Sequence, residues 1–211
     1  MRDRIMNTAG RWTAGSVLAV AVAAAANVAP AHAEPSLSRI AFGSCAKETR
    51  PQPIWDVVLN RKPDLFILAG DNAYIDTEDP AEFAQKYARF DAVPGFARLR
   101  QTVPLLGTWD DHDYGRNDAG AEYPLRRQAQ EAFLDFFDVP TDSPRREREG
   151  VYHAQTFGPE GERVQIILLD TRYHRSALER FPAEPGQRRG AYRPRGDRAA
   201  TMLGDAQWAW L

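Results

Sequence analysis

Between Thr108 and Gly115 the chain reads Thr-Trp-Asp-Asp-His-Asp-Tyr-Gly, so three carboxylates and an imidazole fill the four positions Asp110 to Asp113. Carboxylates this close repel and raise one another's pKa, and a bound cation is the simplest relief. Hard cations take carboxylate oxygens, and imidazole suits several divalent metals. An EF-hand is excluded. Started at Asp111, the twelve-residue loop finds Asp113 and Glu122 in place, but Arg116 stands where a sharp turn needs glycine. Solvated acidic loops and structural histidines are common, so the cluster draws its meaning from the rest of the chain.

Three other polar sets also follow apolar runs. Cys45 follows residues 38–43, Asp71 and Tyr74 follow residues 65–68, and Asp170 and Arg172 follow residues 163–169. Each has an ordinary reading alone. Cys45 could be a small buried hydrophobe, Asp71 could cap a turn, Tyr74 could pack, and Arg172 could pair with Asp170. In open α/β sheets, however, ligands bind outside the carboxyl ends of the strands. Four polar sets at one topological position can therefore meet in one crevice.

The elements that must position them alternate. Residues 38–43 read as a strand with Ile40 and Phe42 on one face, and residues 65–68 as a strand buried on both faces. Residues 103–107 form a third, leading into the acid cluster. Helices are expected over 52–60, from Asp79-Pro80 with Phe83, Tyr87 and Phe90 as its stripe, and over 124–137. Residues 152–157 and 163–169 read as a hairpin turned at Gly158-Pro159-Glu160-Gly161. Residues 181–197 are rich in Pro, Gly and Arg and read as a surface loop. Gly204-Asp205 opens a helix that is still apolar at Leu211, as in the front part of a longer protein.

Before all of this lies a leader. Arg2, Arg4 and Arg11 precede an Ala/Val-rich run over 16–28, and Ala31-His32-Ala33 offers a small-x-small cleavage site. Residues 1–33 are thus expected to be a signal peptide and 34–211 one domain, exported to the periplasm or secreted. The run is too short and alanine-rich for a membrane span. Without the leader's three Arg and one Asp, 27 basic and 29 acidic residues become 24 and 28. That balance gives no attraction to nucleic acid or anionic membrane. Cys45 is the single cysteine, so no disulfide forms within the chain.

The segments Phe42-Gly43-Ser44-Cys45, Ala69-Gly70-Asp71-Asn72-Ala73-Tyr74, Trp109-Asp110-Asp111-His112-Asp113, Leu169-Asp170-Thr171-Arg172-Tyr173 and Leu203-Gly204-Asp205-Ala206-Gln207-Trp208 resemble, in order, the motifs of the alkaline phosphatase D (PhoD-like) metallophosphatases. These belong to the calcineurin-like metallophosphoesterases. The resemblance implies an α/β fold, with central sheets flanked by helices in four α/β/β/α layers, here incomplete at the C-terminus. It implies a metal-dependent phosphoric ester hydrolase that uses a metal-bound hydroxide. Asp71 resembles the metal-bridging carboxylate, Cys45 and Tyr74 the ligands of a ferric ion, and Asp111, with Asp110 as a further contributor, the ligand of a calcium ion. His112 and Arg172 resemble the catalytic proton donor and a phosphate-binding fork. The family's final Gly-Asp block with a nearby His is not found: Gly196-Asp197 and Gly204-Asp205 lack it. Two alternatives stand beside this reading: a remnant that binds phosphate or metal without turnover, and a thiol hydrolase pairing Cys45 with His112.

Overall fold

The computed structural model describes residues 36–188 and 190–211. The leader read in residues 1–33 lies outside them. In chain order the elements are β1 (Ile40–Gly43), α1 (Ile54–Asn60), β2 (Leu65–Ala69), α2 (Glu82–Asp91), α3 (Pro94–Thr102), β3 (Leu105–Thr108), α4 (Asp111–Tyr114), α5 (Arg126–Phe136), β4 (His153–Phe157), β5 (Val164–Leu168), β6 (Glu179–Arg180), β7 (Tyr192–Arg193) and α6 (Gly204–Trp210). A 3-10 turn, Pro144–Arg146, precedes β4. The α/β class expected from the sequence is what is found.

β1, β2 and β3 form a parallel sheet in that order, with Phe42 opposite Ile67 and Ile67 opposite Leu106. β2 is central and apolar at every position, as a strand buried on both faces must be. Side-chain alternation divides it. Phe66 faces a helical core of Trp55, Phe83, Phe90, Phe96, Leu99 and Phe133, while Leu65 packs with Leu106, Phe157 and Leu168 against the antiparallel β4–β5 hairpin. Within the helical core, Trp55 meets Phe66 edge-on at 5.6 Å and Phe90 stacks on Phe96 at 4.0 Å. Such offset contacts add to plain burial.

The structure departs from the sequence reading in four places. Phe42 and Ile40 do share a face, but that face of β1 is open, and Phe42 is 77% exposed. The Asp79-Pro80 pair does not start α2. Asp79 accepts the Ala81 amide at 2.9 Å in a turn of its own, and the helix begins three residues after it, at Glu82. A helix the sequence reading missed, α3, begins with Pro94 at its first position and buries Phe96 and Leu99. The region read as a loop contains β7, which pairs with β6 just before that region as a two-rung antiparallel ribbon.

The carboxyl ends of β1, β2 and β3 lie side by side because the sheet is parallel. The end of β5 joins them through Thr108, whose hydroxyl donates to the Leu169 carbonyl at 2.7 Å. Among the described residues no helix is long and apolar enough to cross a membrane.

Candidate metal centre

Each loop leaving the parallel sheet turns sharply. Cys45 and Asp71 both have left-handed backbones, φ +61° and +51°, the kind of strain that concentrates at functional sites. Gly70, at φ +108°, precedes Asp71, and a Cβ there would stand 2.7 Å from the Cβ of Asp110. Only glycine lets the ends of β2 and β3 approach so closely. Backbone bonds then fasten the loops together. Cys45 N–H donates to Gly70 O (3.2 Å), Ala46 N–H to Asp71 O (2.9 Å) and Ile75 N–H to His112 O (3.1 Å).

The acid cluster itself forms a single helical turn, α4. Its organiser is Asp113, which is fully buried. Asp113 Oδ1 accepts the amides of Asp110 (2.6 Å) and Asp71 (3.3 Å), while Oδ2 accepts Asn72 N–H (3.1 Å) and Asn72 Nδ2 (2.6 Å). Burial pushes its carboxyl well above the ordinary range, and the amide donors pull the other way. Asp113 thus locks the β2 and β3 loops into one unit.

Asp71 stands at the middle of what remains. Its Oδ2 accepts from the Cys45 thiol (3.7 Å) and from the Tyr74 hydroxyl (3.5 Å), and its Oδ1 accepts the His112 amide (3.4 Å). Ligating atoms of Asp71, Asp111 and His112 all lie within 4.8 Å of one another. Burial raises the Asp71 carboxyl against the opposing charge of His112, and the charges of Asp111 and Asp110 add to the rise. Burial, with Asp71 and Cys45 beside it, pushes the Tyr74 phenol up to about 12. Carboxylates, imidazole, a thiol and a phenol converge, with Arg172 on Asp110 and Lys47, whose Nζ lies 4.8 Å over the Tyr74 ring, as nearby cations. The residues fit a metal site of mixed hard and soft character.

The seven sequence-nominated residues do not all play alike. Cys45, Asp71, Tyr74, Asp111 and His112 are brought together. Cys45 is exposed, and its thiol meets Asp71, Ser44 and the Tyr74 hydroxyl. Asp110 is drawn aside. Arg172 binds it through Nε at 2.6 Å and also through Nη2, with Asp111 Oδ1 at 3.9 Å. The pairing of Arg172 with Asp170 considered from sequence is not found. Asp170 is fully buried and accepts the amides of Val151, Arg172 and Tyr173. Asp111 Oδ2 accepts the Asp118 amide at 2.6 Å. Burial would raise the Asp111 carboxyl, but that amide, together with Arg172 and His112, holds it low.

Sequence reasoning gave no role to three residues that matter here. Asp76 accepts from His112 Nδ1 at 2.7 Å, leaving Nε2 free. Burial lowers the His112 pKa, but Asp76, Asp71 and Asp111 outweigh it and raise it overall. Asp113 lies within the acid motif without a function of its own in the sequence, and Asp118 lies outside every motif. The one available signal was that Asp76 lies two residues beyond Tyr74 in the same post-strand loop. A cleft of about 270 Å³ opens beside His112, lined by Asp76, Glu78, Arg116 and Asn117.

Comparisons with known proteins bear on the family and the fold. A family model described as PhoD-like phosphatase matches residues 40–211. A solved structure titled "Structure of PhoD" superposes with a TM-score of 0.63 at 21% identity, over 86% of this chain and 39% of that one. At that identity the likeness concerns the fold, and the chain spans well under half the length of that structure. No curated protein matches significantly. With its family model spanning nearly all of the described residues, the chain belongs to the PhoD-like phosphatases.

Proposed function

We propose that this chain is a metal-dependent phosphoric ester hydrolase, acting on phosphomonoesters or phosphodiesters. The observation that carries the reading is the convergence of four donor side chains, those of Cys45, Tyr74, Asp111 and His112, around the carboxylate of Asp71 at three parallel strand ends. Asp71, Cys45 and Tyr74 would hold one ion, and thiolate and phenolate donors suit ferric iron. Asp71 and Asp111 would hold a second, and an oxygen set suits calcium. When bound, the metals supply the Lewis acidity that provides a hydroxide nucleophile near neutral pH and offsets phosphate charge.

The chain's own residues account for the rest. Asp76 accepts from His112 Nδ1 and leaves Nε2 to face the leaving oxygen, and Nε2 carries a proton to give only in the imidazolium. The raised pKa of His112 favours the protonated form this role needs. Arg172, anchored on Asp110, keeps Nη1 for a phosphate oxygen. Asp110 then serves the site as the anchor of that arginine, and Asp111 as the ligand. The basic, apolar and small-residue pattern of residues 1–33 supports export before the enzyme acts.

The test is hydrolysis of p-nitrophenyl phosphate and bis-p-nitrophenyl phosphate after metal reconstitution. Turnover that Asp71→Asn abolishes supports the proposal. Metal binding without turnover points to the non-catalytic alternative. Chelator-resistant turnover stopped by iodoacetamide points to the thiol hydrolase.

A further inference from the structure

Asp111 is steadied from a distance. The amide that fixes its Oδ2 belongs to Asp118, seven residues on, in a left-handed conformation at φ +62°. Such a conformation at a non-glycine residue needs support. Two arginines give it. Arg175 donates to the Asp118 carbonyl, and Arg180 Nη2 donates to its Oδ2 at 2.8 Å. Arg180 lies in β6, and the ribbon holds it in turn. Its Nη1 donates to Gly190 O at 3.1 Å, its Nη2 reaches the Tyr192 hydroxyl, and its guanidinium lies 3.6 Å over the Tyr192 ring.

We infer that Arg180 is a positioning residue: acting through Asp118, it fixes the Asp111 carboxylate for a metal ion. The inference rests on the function proposed above. Groups that orient a metal ligand commonly matter about 10–100-fold in metal affinity, although they never touch the ion. An ordinary ion pair that merely tied down the ribbon would contribute little and leave metal binding unchanged.

The experiment is a Mn²⁺ titration of the full chain, with free ion counted by electron paramagnetic resonance. Arg180→Ala should weaken Mn²⁺ binding about tenfold or more. Arg180→Lys should recover part of the loss. Asp118→Asn, which keeps the amide and tolerates the left-handed backbone, should weaken binding like Arg180→Ala, and it stands in if that variant fails to fold. Arg193→Ala, which removes the Arg193–Glu179 pair and the Arg193–Phe181 contact of the same ribbon but leaves Arg180 and Asp118 in place, should bind as wild type. Wild-type affinity in both Arg180→Ala and Asp118→Asn would overturn the inference while leaving the proposed function standing. A wild-type chain that binds no Mn²⁺, calcium or iron would overturn both.

Discussion

Asp76 accepts a hydrogen bond from His112 Nδ1 at 2.7 Å across 36 residues of chain, and so selects which ring nitrogen of the catalytic candidate stays available. In the metal-free protein His112 should titrate above the usual 6.5 or so. Asp76→Asn should bring the midpoint down, as followed by NMR of the ring protons. The linkage sign follows. A raised folded pKa means that His112 stabilises the fold below its unfolded pKa, and this contribution fades as pH climbs through the folded value. An unmoved midpoint in Asp76→Asn would remove Asp76 from the site.

Asp113 should matter for stability more than for chemistry. Asp113→Ala leaves the amides of Asp71, Asn72 and Asp110 without their acceptor inside the core. Each stranded buried donor costs about 1–3 kcal/mol, so a loss of about 3 kcal/mol or more is expected. Urea denaturation reads this directly, and a loss below about 1 kcal/mol would contradict the locking role.

β2 and β1 differ in what they bury, although both read as apolar strands. Phe66→Ala should cost about 3–5 kcal/mol. Phe42→Ala, on the open face of β1, should stay within about 0.5 kcal/mol. Equal losses in thermal or urea unfolding would mean that Phe42 is covered in solution.

Much of this was legible in the sequence, for physical reasons. Runs such as Leu65 to Leu68 announce buried strands through composition alone, and the Phe83, Tyr87, Phe90 stripe announces its helix through period. Strand ends that gather polar residues gave the site. The helix at Pro94 carried the same kind of signal in a short form, a proline at its first position and Phe96 three residues before Leu99. What could not be read were the long-range hydrogen bonds. Whether Arg172 pairs with Asp170 or with Asp110 depends on how two loops approach, and no local pattern encodes that. The Asp118–Arg180 tie spans 62 residues, and the Asp76–His112 bond likewise joins separate loops.

Cys45 is the least expected member of the group, an exposed thiol on a left-handed backbone beside Asp71. Cys45→Ser should lower iron content and turnover together, while calcium content holds. Unchanged iron per chain would take Cys45 out of the ligand set.

The most direct test is elemental analysis of the purified chain and of Asp71→Ala, each assayed for phosphate ester hydrolysis before and after EDTA. If Asp71 bridges two ions, the wild type holds at least two metals per chain, the variant loses metal from both positions, and EDTA silences the wild type. A folded, metal-free wild type that still cleaves phosphate esters in excess EDTA would contradict the account.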